Sequence, residues 1–196
     1  MHASVRGRAA PPAALALVLV LLGLLAVAGC GGSGAADADA TTSSSPSTPP
    51  SSSPSTAPPP ALPAAAQQHT KAGAIAFVRH YIALINYAQA TGSVDELERA
   101  GLERCRSCTS TTRFIARLYA RGGRFEGGFT TVLQVMDAIS PSEYGDYVVD
   151  VTIKIAPSVV HDNGTGRRAR GGTNVLSVFP KWTLQGWRVA QWSRAK

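Results

Sequence analysis

The chain has 196 residues, a formal net charge of +7, 44% hydrophobic residues, 16% charged residues and three cysteines. This composition excludes a uniformly disordered chain, a coiled coil, a multi-pass membrane protein and a disulfide-dense miniprotein. Composition changes sharply along the chain, so each segment is taken in turn.

The first thirty residues have the pattern of a secretory signal. Arg6 and Arg8 precede an uncharged apolar stretch at 13–28. Sixteen helical residues span about 24 Å, which is short of the roughly 30 Å hydrocarbon core of a bilayer. Val27-Ala28-Gly29 then lead into Cys30, and this tetrapeptide resembles the bacterial lipobox, whose cysteine receives a diacylglycerol before cleavage. We therefore predict a lipidated Cys30 on the extracytoplasmic face of the cell membrane; the alternatives are a plain signal peptide and an uncleaved anchor.

The next segment, 31–66, consists of Ser, Ala, Pro, Thr and Gly with two Asp and one Leu. Such a segment has almost nothing to bury and does not repay the entropy of ordering, so we predict a disordered tether. The predicted organisation is a signal peptide at 1–29, a lipidated cysteine and linker at 30–66, and a single folded domain at 67–196.

Three helices are predicted at the start of the domain. The first covers Thr70–Ala90 and stops at Gly92, because its apolar residues recur at helical spacing. Ser93 and Glu96 have the spacing of a capping box, which predicts a short second helix through Ala100. The third covers Ser110–Arg121 and is ended by two glycines. The apolar residues of the first helix form two adjacent stripes: Ile75, Val78, Ile82 and Ile85, and Phe77, Tyr81, Leu84 and Ala88.

The second half of the domain has the pattern of an antiparallel sheet. Residues of Tyr147–Ile155 alternate between apolar and polar with period two. Phe129–Ile139 is predicted as an earlier strand, and Val175–Leu184 and Trp187–Trp192 as a hairpin around Gln185-Gly186. The predicted class is α+β, with the N-terminal helices packed on one face of a curved antiparallel sheet.

Cys105 and Cys108 remain for pairing once Cys30 is lipidated. Outside the cytoplasm two such cysteines are expected to form a disulfide. A redox motif and a zinc site are the alternatives, but no strand precedes the pair, and the only histidines after Cys30 are widely separated in sequence. We predict a structural disulfide, no metal and no cofactor.

Asp137 is the only carboxylate that the sequence suggests for catalysis. Strict alternation places it on the strand face of Val135 and Ile139, which is the position of a carboxylate inside a pocket. The alternative is a strand-end residue that faces water.

The predicted domain carries 17 Lys or Arg and 10 Asp or Glu, so the whole +7 lies on it. Arg113, Arg117 and Arg121 follow at four-residue steps on one helical stripe, and Arg167, Arg168 and Arg170 lie in a predicted Gly-rich loop. If these patches bind anions, the available partners are anionic lipid headgroups or acidic envelope polymers, since the compartment excludes nucleic acid. The alternative is a solvated basic surface.

The segment Lys71–Val78, the Cys105/Cys108 pair, and Gly122-Gly123 with Gly127-Gly128 resemble an actinobacterial family of lipoproteins of unknown function. The helical start, basic corner and closing Trp-containing hairpin are similar to the nuclear transport factor two-like cone fold. That resemblance implies a curved sheet wrapped around a long helix, often with a pocket; members include isomerases, cyclases and non-catalytic binding domains. No catalytic residue of those enzymes is carried over.

We predict a non-enzymatic, membrane-anchored envelope lipoprotein that binds a small ligand or a partner protein. Its pocket is predicted to be lined by Phe77, Tyr81 and Trp182. The alternatives are an isomerase- or cyclase-like enzyme that uses Asp137, and a thiol–disulfide protein that uses the Cys-x-x-Cys pair.

Overall fold

The computed structural model describes residues 57–140 and 143–195; the predicted signal peptide, Cys30 and most of the linker lie outside them. The described chain is α+β, as predicted, with helices packed against antiparallel sheets. No helix in these ranges is long and apolar enough to cross a membrane. After a 3₁₀ turn at Ala64–Gln67, the elements are α1 (Lys71–Thr91), α2 (Asp95–Ala100), α3 (Arg106–Ala120), β1 (Arg124–Gly127), β2 (Thr130–Ile139), β3 (Val148–Ile155), β4 (Ser158–Asp162), β5 (Thr165–Ala169), β6 (Gly172–Thr183) and β7 (Gly186–Arg194).

Helix α1 confirms the first predicted helix. Thr70 caps it, since its hydroxyl accepts a hydrogen bond from the Gly73 N–H at 3.0 Å. Gly92 ends it in the left-handed region, at φ 79°, where its N–H donates to the Ala88 carbonyl. A Cβ at Gly92 would also lie 2.5 Å from the Tyr119 ring, so both the backbone conformation and the close approach require glycine.

The long helix packs on a four-stranded sheet of order β2-β3-β6-β7. Val149, Val151 and Ile153 of β3 are buried against it, which confirms the predicted alternation. Asn86 fixes the helix to the start of β2: its side-chain amide donates to the Thr130 carbonyl and accepts from the Thr130 N–H, both at 2.8 Å. The predicted closing hairpin is also present as β6 and β7.

Of the two interpretations of Asp137, the structure supports the residue that faces water and not the carboxylate inside a pocket. Strand β2 is bulged between Val135 and Ala138, so the residues after the bulge change faces. Ala138 is buried, whereas the Asp137 side chain is 74% exposed and forms an ion pair with Lys71. The proposed catalytic carboxylate is therefore a surface group.

Both predicted starts of the later helices need correction. Ser93 does not cap α2: the helix begins after Val94, which makes no side-chain capping bond, and Glu96 pairs with Arg99 instead. Helix α3 begins four residues before the predicted start. Cys105 is its N-cap, with a sulfur that accepts from the Cys108 N–H at 3.2 Å, so a cap outside the usual Ser, Thr, Asp and Asn set was missed.

A second sheet, of order β1-β4-β5, is absent from the sequence-based prediction. Arg167 and Arg168 belong to β5 of this sheet rather than to a loop. Strands β4 and β5 are joined at Asn163-Gly164, whose φ values of 48° and 76° are those of a tight hairpin turn.

Residues assigned by sequence to the linker pack on the domain. Ala66, the last residue of the predicted linker, is 2% exposed. Just after it, at the start of the predicted domain, the Gln68 carbonyl accepts a hydrogen bond from the Trp187 indole at 2.9 Å. The segment before α1 is therefore held against the closing hairpin.

Candidate functional site

A cavity of about 430 Å³ lies between α1 and the four-stranded sheet, and we call it the sheet cavity. Its wall is mostly apolar, with isoleucines from α1 and β3 and a leucine from β6. No carboxylate or imidazole lines it among the described residues. The lining residues are Ile82, Ile85, Gln89, Thr111, Gly128, Thr130, Ile153, Ile155, Asn174, Leu176, Trp192 and Arg194.

Two residues that line the sheet cavity each carry a buried polar atom without a hydrogen bond of normal geometry: Gln89 through Oε1 and Trp192 through Nε1. An unpaired buried donor or acceptor costs roughly 1–3 kcal/mol, so such atoms are usually satisfied in a working state of a protein. The Gln89 amide turns about a soft terminal torsion, which gives it the freedom to meet an entering group.

The Tyr81 hydroxyl is a third buried atom without a hydrogen bond. Burial raises the pKa of this hydroxyl, and the facing Trp192 indole opposes the rise. Tyr81 thus stays a neutral phenol behind the cavity wall. The Tyr81 hydroxyl and the Trp192 indole therefore lie close to each other in the core.

A second recess, also of about 430 Å³, lies between the N-terminal half of α1, α2 and the closing hairpin, and we call it the hairpin cleft. Phe77, Trp182 and Trp187 supply its aromatic wall. The His69 ring stacks on the Trp182 ring at a centroid distance of 4.9 Å, and its Nε2 lies 3.1 Å from the Asp146 Oδ2. The remaining lining residues are Leu62, Ala66, Gln67, His80, Leu84, Glu96, Arg99, Ala100, Gln185, Gly186 and Arg188.

His80 is the buried titratable group of the hairpin cleft. Burial lowers the pKa of its imidazole, and the Glu96 carboxylate partly opposes that effect. Glu96 is itself paired with Arg99 at 2.5 Å. Neither a hydroxyl nor a thiol lines the cleft among the described residues, so His80 has no nucleophile there to activate.

The structure separates the four residues predicted to share a pocket. Phe77 and Trp182 line the hairpin cleft, Tyr81 is buried behind the sheet cavity, and Asp137 lies on the surface. Gln89 and Trp192 were missed. Neither residue has a sequence signal of function, because an unpaired polar atom is visible only once the surrounding elements are packed.

Cys105 and Cys108 form a disulfide with a Cα–Cα distance of 5.2 Å, as predicted. Both residues are buried, at 0% and 3% exposure, so the bridge lies in the core of the folded domain. Ser107 lies between the two cysteines in sequence, and its hydroxyl accepts a hydrogen bond from the backbone N–H of Trp192 at 3.1 Å. The bridge therefore fixes the start of α3 against the strand that carries Trp192.

The predicted arginine stripe is split by the fold. Arg113 and Arg117 are exposed on α3, but Arg121 pairs with Asp162 of β4 at 2.8 Å. The Arg121 guanidinium lowers the pKa of the Asp162 carboxyl, which indicates a favourable pair. Arg121 is thus engaged within the protein. Within the described residues, no group of three or more His, Cys, Asp or Glu lies close enough to hold a metal ion.

Comparison with known proteins gives a family and a fold. No curated protein matches the chain. Among solved structures, it is similar to the intermembrane space region of the chloroplast protein ARC6, with 14% identity, a TM-score of 0.50, and 65% of this chain and 97% of that chain covered. At this identity the likeness is one of fold. A family model described as a family of unknown function, DUF6318, matches residues 46–177, more than half of the chain. The protein therefore belongs to the DUF6318 family.

Proposed function

We propose that this protein is a non-catalytic binding domain whose sheet cavity holds a small, largely apolar ligand with a hydrogen-bonding group. The observation that carries the proposal is an apolar cavity with two unpaired buried polar atoms, on Gln89 and Trp192, in its wall. Ligand pockets are typically of this kind: mostly apolar, with a few polar groups that fix orientation.

The polar pair also suggests what the ligand offers. The Trp192 indole is only a donor, and Oε1 of Gln89 is only an acceptor. A hydroxyl group on the ligand matches both, because it accepts from one and donates to the other. The absence of a carboxylate or imidazole among the described lining residues favours binding over proton transfer.

A calorimetric titration of the full chain with 1-octanol tests this proposal. We expect saturable one-to-one binding, weakened about fivefold in Trp192→Phe and in Gln89→Leu, because each change removes one hydrogen bond worth about 1 kcal/mol. The matched control is Trp182→Phe, which alters the hairpin cleft and leaves the sheet cavity intact.

Two results would contradict the assignment. If wild type shows no saturable binding, the cavity is not a site for this ligand class. If Trp182→Phe weakens binding and Trp192→Phe does not, the ligand lies in the hairpin cleft instead.

We further propose that the domain is held at the extracytoplasmic face of the cell membrane by a lipidated Cys30. The support is the apolar segment at 13–28 followed by Val27-Ala28-Gly29, together with a buried disulfide that suits an oxidising compartment. Actinobacterial origin and the nuclear transport factor two-like cone resemblance remain predictions.

Metabolic labelling with an alkyne fatty acid checks the anchor. Wild type should carry the label, and Cys30→Ala should lose it, because Cys30 supplies the thiol that becomes a thioether. The control, Cys105→Ala/Cys108→Ala, should keep the label. Label retained by Cys30→Ala would show that the lipid is attached elsewhere or not covalently.

A further inference from the structure

Arg194 is the one charged residue among the described lining of the sheet cavity. It lies near the end of β7 and pairs across the sheet with Leu176, which packs on the core side of β6. Residues directly opposite on neighbouring strands project from the same face of the sheet, so the Arg194 side chain leaves β7 on the face that packs against α1.

No carboxylate within the described ranges forms an ion pair with Arg194, as for most of the described arginines; Arg194 differs from them in that it lines the sheet cavity. Asn174 lies on the same face of the sheet, two residues before Leu176 on β6, and also lines the cavity. The guanidinium of Arg194 and the amide of Asn174 are thus two polar groups in the lining of one apolar cavity, and together they offer several N–H donors and no negative charge.

We propose that the ligand of the sheet cavity is a carboxylate-bearing amphiphile, bound with its carboxylate at Arg194 and Asn174 and its apolar chain against the isoleucines. A planar guanidinium gives a carboxylate two parallel charge-assisted hydrogen bonds. This inference rests on the proposed function and replaces its hydroxyl by a carboxylate. A carboxylate also accepts from the Trp192 indole, which lies two residues before Arg194 on the same strand, and from the N–H groups of Gln89 once that amide is turned.

The cavity volume limits the size of the amphiphile. At roughly 30 Å³ for each water-sized group, about 430 Å³ accommodates about fourteen non-hydrogen atoms. A straight-chain acid of eight to about twelve carbons fits this space. The side chains of Ile82, Ile85 and Ile153 in the cavity wall have no polar group that would need a hydrogen-bond partner on the alkyl chain of the ligand.

Calorimetric titrations with octanoate, 1-octanol and octyl phosphate compare a carboxylate, a neutral hydroxyl and a phosphate on the same eight-carbon chain. For wild type we expect octanoate to bind about tenfold more tightly than 1-octanol, because of the charge-assisted hydrogen bonds to Arg194. Arg194→Gln should reduce that ratio to about one, because octanoate loses the charge-assisted hydrogen bonds and 1-octanol does not form them. The control, Arg188→Gln, lies outside the sheet cavity and should keep the wild-type ratio.

The outcomes distinguish this inference from the proposed function. Equal affinities for octanoate and 1-octanol in wild type, or a ratio that survives Arg194→Gln, would overturn the carboxylate assignment while leaving the cavity as a binding site. Tighter binding of octyl phosphate than of octanoate would replace the carboxylate with a phosphate. Failure of 1-octanol and octanoate alike to bind would overturn the proposed function itself.

Discussion

Trp187→Ala is expected to lower the free energy of unfolding by about 3–5 kcal/mol, the range for removal of a large buried aromatic side chain. Trp187 is 2% exposed and packs edge-on against Trp182 at a centroid distance of 5.1 Å. Its indole also donates to the Gln68 carbonyl, so the substitution leaves a cavity and an unpaired carbonyl together.

Urea denaturation followed by circular dichroism measures this change. The matched control is Leu184→Ala at the tip of the same hairpin, where the side chain is fully exposed, and it should change stability by no more than about 0.5 kcal/mol. Trp187→Phe keeps a ring but removes the hydrogen bond, so its loss should be intermediate. A loss in Trp187→Ala as small as that of the control would contradict the packing of the segment before α1 on the hairpin.

Loss of the Cys105–Cys108 bridge is expected to cost roughly 2 kcal/mol, as loop-closure entropy predicts for a four-residue loop. The bridge joins residues on either side of Ser107, which holds the backbone of Trp192. Cys108 is also closely packed: Gly101 approaches it so nearly that a Cβ on Gly101 would lie 2.9 Å from Cβ of Cys108. Replacing the cysteines therefore also disturbs close packing at this point.

The test compares unfolding of wild type and Cys105→Ala/Cys108→Ala, each with and without reductant. Wild type should lose stability in reductant, and the double variant should be less stable and indifferent to reductant. Equal sensitivity of both proteins to reductant would show that the stabilisation comes from elsewhere.

Sequence patterns predicted those elements whose burial follows a simple period. Helix α1 and strand β3 carry regular apolar spacing, and Gly92 marks the end of the helix, so local signals and tertiary packing agree. The same alternation misled at Asp137, because a bulge in β2 changes the face of the residues that follow.

The small sheet was missed for a different reason. Strand β5 is exposed along its whole length and carries Arg167 and Arg168, so it has no apolar alternation to detect. The Asn163-Gly164 turn between β4 and β5 was the available signal, since this dipeptide favours two-residue hairpins.

The candidate site was predictable only in outline. A pocket between the first helix and the sheet followed from the expected architecture, but its residues did not. We propose roles for Gln89 and Trp192 because each carries a buried polar atom without a normal hydrogen bond, and for Arg194 because it is the one charged residue in the described lining of the cavity. The burial, hydrogen bonding and cavity lining of these residues depend on side chains from elements that are distant in sequence, and residue spacing does not reveal those contacts.

The most direct test of ligand binding in the sheet cavity is the set of tryptophan indole N–H signals in a ¹H–¹⁵N spectrum, recorded during titration with octanoate. Trp192 has an unpaired indole in the cavity wall, whereas the Trp187 indole already donates to Gln68. We expect the Trp192 signal to move saturably while the Trp187 signal stays in place. A Trp192 signal that does not move at saturating octanoate, or movement confined to Trp182 and Trp187, would contradict it.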